Sequence, residues 1–199
     1  MIYIVGLGNP EAEYFRTRHN AGFMAIDMLM KRHGATRIHH DAGYVLAHIA
    51  ESVIVIKPMS GMNISGHPIM DIYASRGKPK RMLVIHDDVN LSFGALKLRE
   101  APHASRHNGV ASIQRVVGKN FTRLRVGIGM PQDGSTLLKY VLSAFTLEEW
   151  SKMDKILTNA AIKAEEWAGF VNKPKPKPKM SLLKKVQLWT GGKRPDWLK

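Results

Sequence analysis

The sequence predicts an α/β protein with a single globular domain, in which helices flank a twisted, mostly parallel mixed sheet in three layers. Two observations carry this prediction. Short apolar runs bounded by turn residues are typical of buried strands, and they alternate with longer segments whose apolar residues recur at helical spacing. The length of 199 residues is sufficient for one sizeable hydrophobic core.

The apolar runs and the helical stretches follow one another along most of the chain. Strands are predicted at residues 2–7, 53–56, 82–85 and 124–128, with weaker candidates at 44–49 and 95–98. Helices are predicted at residues 21–32, 64–76, 109–117, 137–142 and 146–170.

The chain divides into a globular part, residues 1–171, and a basic C-terminal tail, residues 172–199. The tail contains nine Lys/Arg and one Asp, so it supplies +8 of the formal net charge of +14. Lysine and proline alternate over residues 173–179, and we expect a flexible, extended segment because proline interrupts helices and like charges repel. The basic excess favours a nucleic-acid partner, although solvated surface lysines alone would also explain it.

The sequence contains no cysteine, which excludes disulfides, thiolate nucleophiles and cysteine-based zinc sites. No apolar run approaches the roughly 18 residues of a membrane span, and the first residues resemble a strand rather than a signal peptide. We therefore expect a soluble protein without a membrane partner. Its expected setting is the cytoplasm, with the mitochondrial matrix as the alternative.

The segment Gly6-Leu7-Gly8-Asn9-Pro10 follows the first predicted strand, where a dinucleotide-binding fingerprint would also lie. The third glycine of that fingerprint is missing, and Pro10 has no N–H to offer a phosphate. A nucleotide-dependent enzyme is therefore a weak alternative. Asn9 lies just beyond the carboxyl end of a strand, which is where α/β sheets build their sites.

His19 is a candidate general base because histidine titrates near neutrality, although a capping or surface role is the alternative. Asp87 and Asp88 end a predicted strand and should point to opposite faces, so only one of them enters a given pocket. A carboxylate that bonds one imidazole nitrogen leaves the other nitrogen basic. A metal site made of His86 and both acids competes with this interpretation, but the helical histidine pair of common zinc motifs is missing.

Asn63 and Asn108 stand where helical stretches begin, a position that is typical of N-caps. Their amides, like that of Asn9, both donate and accept hydrogen bonds. Such groups suit the binding of a peptide backbone whose side chains are not read.

Six segments, in this order, resemble the bacterial-type peptidyl-tRNA hydrolases. They are GLGNP, then EY with TRHNAG, MNISG, HDD, HNG and RVGIG, and the resemblance spans residues 1–170. It implies an α/β enzyme that hydrolyses the ester bond between peptide and tRNA and so recycles tRNA from stalled translation. It also implies a monomer that acts on peptidyl-tRNA without a metal or another cofactor.

The resemblance also implies roles for individual residues. His19 matches the histidine that activates water, Asp87 the aspartate that orients it, and Asn9 the asparagine near the reacting ester. The positions of substrate-contacting residues are matched by Tyr14, Met62, Asn63 and Asn108. Arg99 and Arg125 match basic positions that bind the 5′ phosphate of tRNA, a task suited to guanidinium groups.

The sequence departs from the family pattern at two places beside the expected substrate groove. Residues 101–106 replace a glycine-rich loop with a stiffer and more basic one, and Gly61 stands where the family has an aromatic residue. A non-catalytic RNA-binding relative of the same fold is therefore the alternative function. The joint presence of His19 and Asp87 favours the enzyme, since a pure binder has no need for a base and an orienting acid.

Overall fold

The computed structural model describes residues 1–35, 38–40, 43–100 and 105–170, and its strands form one seven-stranded sheet. The strands are β1 (Ile2–Gly6), β2 (Ile38–His40), β3 (Tyr44–Ala50), β4 (Val53–Pro58), β5 (Arg81–Asp88), β6 (Leu96–Glu100) and β7 (Thr122–Gly127). Their spatial order is β2-β3-β4-β1-β5-β7-β6. All six predicted strands are present. Strand β2 was not predicted because it has only three residues and two of them are histidines.

The sheet is mixed, as predicted, and its parallel pairing lies in the centre. Strands β4, β1, β5 and β7 pair in parallel, whereas the β2–β3, β3–β4 and β6–β7 pairs are antiparallel. Because the four central strands run in one direction, their carboxyl ends meet at one edge of the sheet. That edge is where an α/β protein builds its site.

Helices cover both faces of the sheet, which confirms the predicted α/β class. Helices α1 (Ala21–His33) and α5 (Leu147–Ala168) share one core cluster with alternate strand residues such as Leu83 and Leu124. Helices α2 (Gly66–Arg76) and α3 (Asn108–Val117) pack on the other face against residues such as Val84. The short helix α4 (Leu137–Val141) precedes α5.

Helix α1 approaches the backbone of the sheet very closely at Gly22. The N–H of Phe23 donates to the carbonyl of Leu7 at 3.0 Å, and the N–H of Leu7 donates to the carbonyl of Ile85 at 3.0 Å. A Cβ at Gly22 would overlap the backbone of both Leu7 and Ile85. The close packing fixes the start of α1, and with it His19, over the carboxyl ends of β1 and β5.

We expect Gly22→Ala to lower the free energy of unfolding by about 1–3 kcal/mol, because the added methyl group meets backbone atoms that cannot rotate away. Urea unfolding measures this loss. Gly43→Ala is the matched control, since a Cβ there would meet only Pro68 at an ordinary 3.7 Å. Equal unfolding midpoints for the two variants would contradict the close approach.

Two predicted segments fall outside the described residues: the basic tail, residues 172–199, and residues 101–104 of the unusual loop. The division of the chain at residue 171 therefore remains a prediction. In the part of the chain that the structure describes, no helix combines the length and the apolar character needed to cross a membrane.

Candidate active site

The structure brings His19 and Asp87 together although 68 positions separate them in the chain. His19 lies in a 3-10 turn (Arg18–Asn20) that leads into α1, and Asp87 is the penultimate residue of β5. The distance from Nδ1 of His19 to Oδ1 of Asp87 is 2.9 Å. The side chain of His19 is 13% exposed and that of Asp87 only 3%. The pair thus joins a partly accessible imidazole to a buried carboxylate.

A second histidine, His107, binds the same carboxylate oxygen. Its Nε2 lies 2.9 Å from Oδ1 of Asp87, and its ring centroid is 4.8 Å from that of His19. His107 is also the N-cap of α3, where its Nδ1 accepts the N–H of Val110 at 3.4 Å. Because Nδ1 accepts, the ring proton must be on Nε2, which donates to Asp87.

Asp87 stays ionised between the two imidazoles. Burial alone would raise its pKa, but His107 and His19 hold the pKa of this carboxyl well below its usual range. An ionised carboxylate only accepts hydrogen bonds, so Nδ1 of His19 must carry a proton. In this tautomer Nε2 of His19 has a free lone pair, and it forms no hydrogen bond with any described residue.

His86 supports the site from inside the sheet. Its Nδ1 donates to the backbone carbonyl of Asp87 at 2.7 Å, and its ring meets His107 edge-on at 4.8 Å. Burial and the neighbouring His107 lower the pKa of His86 to about 3. His86 is therefore neutral at neutral pH and adds no positive charge beside Asp87.

Among the described residues, one cluster could hold a metal ion, namely His19, Asp87 and His107, whose ligand atoms lie within 4.8 Å of one another. This cluster differs from the predicted metal site of His86 and both acids, because Asp88 pairs with Arg125 instead. In the arrangement described above, each imidazole presents an N–H to Asp87. A metal held between the imidazole nitrogens that face Asp87 would have to displace both of these protons, since a ligating nitrogen must be unprotonated.

Asn9 is held beside this turn by Asn20, the residue after His19. The side chain of Asn20 accepts the N–H of Asn9 at 2.8 Å and donates to its carbonyl at 2.9 Å. The side-chain Oδ1 of Asn9 accepts the N–H of Met62 at 2.9 Å, which fixes the orientation of its amide. The Nδ2 group of Asn9 therefore remains as a hydrogen-bond donor that no described residue engages.

The other predicted substrate contacts differ in their exposure to solvent. The side chains of Asn63 and Asn108 are exposed, Tyr14 is half-buried and Met62 is buried. The N-cap interpretation of the two asparagines is wrong, because Ser65 and His107 occupy the N-cap positions of α2 and α3. Gly61 precedes Met62 at φ 84°, a conformation that a larger residue rarely adopts.

Arg18 anchors the turn that carries His19. This arginine is 5% exposed and donates to Oγ of Ser143 at 2.6 Å and to the carbonyl of Ala144 at 2.7 Å. It also pairs with Glu149 and lies over the ring of Tyr140 at 4.4 Å. This role is not predictable from the sequence, because nothing in the pattern around residue 18 indicates a partner some 125 positions away.

The predicted phosphate-binding residues lie on neighbouring strands at the edge of the sheet. Arg99 is exposed on β6, whereas Arg125 on β7 pairs with Asp88 at 2.5 Å. Asp88 and Asp87 thus reach different partners, as expected for consecutive residues of a strand. The charge of Arg125 is partly neutralised within the protein.

Two open clefts lie at opposite ends of the parallel strands. A cleft of 610 Å³ follows the carboxyl ends of β5 and β7 and is lined by Asn90, Phe93 and Tyr140, among others. A second cleft, of 690 Å³, is lined by Lys80, Arg81 and Trp167 near the start of β5. Neither lining includes His19 or Asp87, so cleft size alone does not locate the candidate active site.

Comparison with known proteins agrees with the fold. A model of the family "Peptidyl-tRNA hydrolase" matches residues 3–182. The chain is 40% identical over 155 residues to a peptidyl-tRNA hydrolase of Sulfurimonas denitrificans, covering 78% of this chain and 83% of the relative. It is 41% identical over 184 residues to one of Bacillus cereus, covering 87% and 95%.

A solved structure is similar over most of its length. The crystal structure of peptidyl-tRNA hydrolase from Acinetobacter baumannii matches with a TM-score of 0.72 and 31% identity, covering 85% of this chain and 91% of that one. The family match over residues 3–182 includes the segments that carry His19 and Asp87. The chain belongs to the peptidyl-tRNA hydrolase family.

Proposed function

We propose that this chain hydrolyses the ester bond of peptidyl-tRNA with His19 as the general base that activates water. One observation carries the proposal: a buried, ionised Asp87 accepts the hydrogen bond of the Nδ1–H group of His19 and so leaves the lone pair of Nε2 on a partly exposed ring. This is the tautomer that a base needs. Since His107 binds the same oxygen, Asp87 is held in place from two sides.

The reaction needs no covalent intermediate. Nε2 of His19 takes a proton from water, and the resulting hydroxide attacks the carbonyl carbon of the ester that joins the peptide to the 3′ ribose. When the tetrahedral intermediate collapses, the bond to the ribose oxygen breaks. That oxygen takes the proton from the imidazolium, so peptide and tRNA leave and His19 is neutral again.

Asn9 supplies a fixed donor for the charge that develops on the carbonyl oxygen. Its Oδ1 is occupied by the N–H of Met62, so only Nδ2 can turn to the substrate. A donor that is already oriented loses little energy in reorganisation when the oxyanion forms. Tyr14, Met62, Asn63 and Asn108 complete the groove for the peptide, and Arg99 and Arg125 bind phosphate.

The residues of this centre all come from a single chain, which supports action as a monomer. We place the activity in the cytoplasm because the substrate arises where proteins are translated. The His19, Asp87 and His107 cluster works through its protons in this mechanism, and no metal ion or other cofactor is required.

The direct test is the release of an N-blocked amino acid from its tRNA by the purified full chain in the presence of a strong chelator. We expect many turnovers and no burst of product in the first turnover, since no acyl-enzyme accumulates. Release only after addition of a divalent metal would assign the cluster to metal binding. RNA binding without any release would establish the non-catalytic alternative.

A further inference from the structure

Four cations share one face of the sheet at its β6–β7 edge. In the pairing of these strands Lys97 lies directly opposite Arg125, and Arg99 directly opposite Arg123. Residues that are opposite or two positions apart point to the same face, so all four point together. The alternate residues Leu124 and Val126 belong to the core with α1 and α5, which places the cations on the other face. Like charges directly opposite each other destabilise a sheet.

Arg123 is the unusual member of this group, which we call the four-cation face. It is only 6% exposed, and no described residue offers a hydrogen-bond partner to its buried Nε. Burial lowers the pKa of Arg123, and the neighbouring charges of Arg99 and Arg125 lower it further. A buried N–H group without a partner is costly, because its lost hydration is not replaced.

The acids near the four-cation face do not neutralise it. Asp88 is committed to Arg125 at 2.5 Å, so four cations and one acid leave a net +3 on this face. Glu100 lies opposite Thr122 and points to the other face. Residues 101–104, which follow β6, are Ala, Pro, His and Ala and bring no acid. The four-cation face therefore carries an excess of positive charge that a bound anion would offset.

We infer that Arg123 is a principal ligand for a phosphate group of the bound RNA, and that Asp88 restrains the contribution of Arg125. The inference rests on the proposed function, in that the RNA is the tRNA part of the substrate. A guanidinium offers two parallel N–H groups that match two phosphate oxygens, and its bonds to phosphate strengthen where water is excluded. Arg123 meets both conditions, whereas Arg99 is exposed and Arg125 is already paired.

The test measures binding of deacylated tRNA by fluorescence anisotropy at several salt concentrations, with the full chain. We expect Arg123→Gln to weaken binding about 10-fold and to reduce the slope of log K against log salt by about 1. Arg76→Gln is the matched control, because it removes the same charge from an exposed position at the end of α2. Asp88→Asn should tighten binding several-fold, since it releases Arg125.

A second variant of Arg123 and a modified tRNA extend this test. Arg123→Lys keeps the charge but loses the paired N–H groups, so it should weaken binding less than Arg123→Gln, and it provides a measurement if the glutamine variant does not fold. Removal of the terminal phosphate of the tRNA identifies the source of the ligand. If the Arg123→Gln defect disappears with that RNA, the ligand is the terminal phosphate, and if the defect persists, the ligand is a backbone phosphate.

The inference is overturned if folded Arg123→Gln and Arg76→Gln lose the same affinity and keep the same salt slope, or if Asp88→Asn weakens binding. Binding of deacylated tRNA does not require hydrolysis. An error in the role of His19 would therefore leave these results unchanged, and an error in the role of Arg123 would leave the chelator experiment unchanged.

Discussion

Asp87→Asn is expected to lower kcat for peptidyl-tRNA hydrolysis by about 10³- to 10⁴-fold without unfolding the protein. An asparagine has nearly the same shape as aspartate, but its Nδ2 group donates hydrogen bonds. If that group faces His19, Nδ1 of the imidazole must accept and Nε2 must carry the proton. The ring then has no lone pair to offer water, so the base is present but in the wrong tautomer.

Steady-state kinetics with a saturating N-blocked aminoacyl-tRNA measures this loss, and circular dichroism confirms the fold. Asp71→Asn, which makes the same change at an exposed position of α2, is the control and should keep full activity. A loss of less than about 10-fold in Asp87→Asn would show that the tautomer of His19 does not limit the reaction.

His19→Ala should reduce kcat by at least about 10²- to 10⁴-fold, which is the usual contribution of a general base. The residual rate should not depend on Asp87, because that carboxylate acts only through the imidazole that has been removed. The double variant His19→Ala with Asp87→Asn should therefore be no slower than His19→Ala alone, in contrast to the sum expected for independent groups.

The alanine variant tests catalysis separately from substrate binding. His19 is not expected to hold the tRNA, so KM should change much less than kcat. His67→Ala, at an exposed position in α2, controls for the loss of a histidine. Undiminished turnover in His19→Ala would rule out the proposed mechanism. A double variant much slower than either single variant would show that Asp87 contributes to catalysis independently of His19.

The candidate site also depends on residues that no sequence pattern singled out. His107 holds Asp87 from the second side, Asn20 fixes the backbone of Asn9, and Arg123 lies unpaired on the four-cation face. Two of them stand next to predicted site residues, His107 beside Asn108 and Asn20 beside His19. Adjacency in a motif was thus the available signal, but it does not indicate which way a side chain points.

The sequence alone determined the class of the fold and the candidate residues for the chemistry. Apolar runs and helical spacing are local properties, and they predicted six of the seven strands because each long buried element needs its own apolar residues. The motifs likewise placed His19, Asp87 and Asn9 at loop and strand ends. These properties are local to the sequence and do not depend on long-range contacts.

Only the tertiary structure decided how those residues are connected. The absence of a side chain at Gly22 lets α1 approach the backbone of Leu7 and Ile85, and that approach brings His19 to Asp87 across 68 positions of chain. The pairing of β6 with β7 likewise decided which cations share a face and which of them Asp88 neutralises. Proton positions and unpaired charges depend on distances between distant segments, and a linear pattern does not contain those distances.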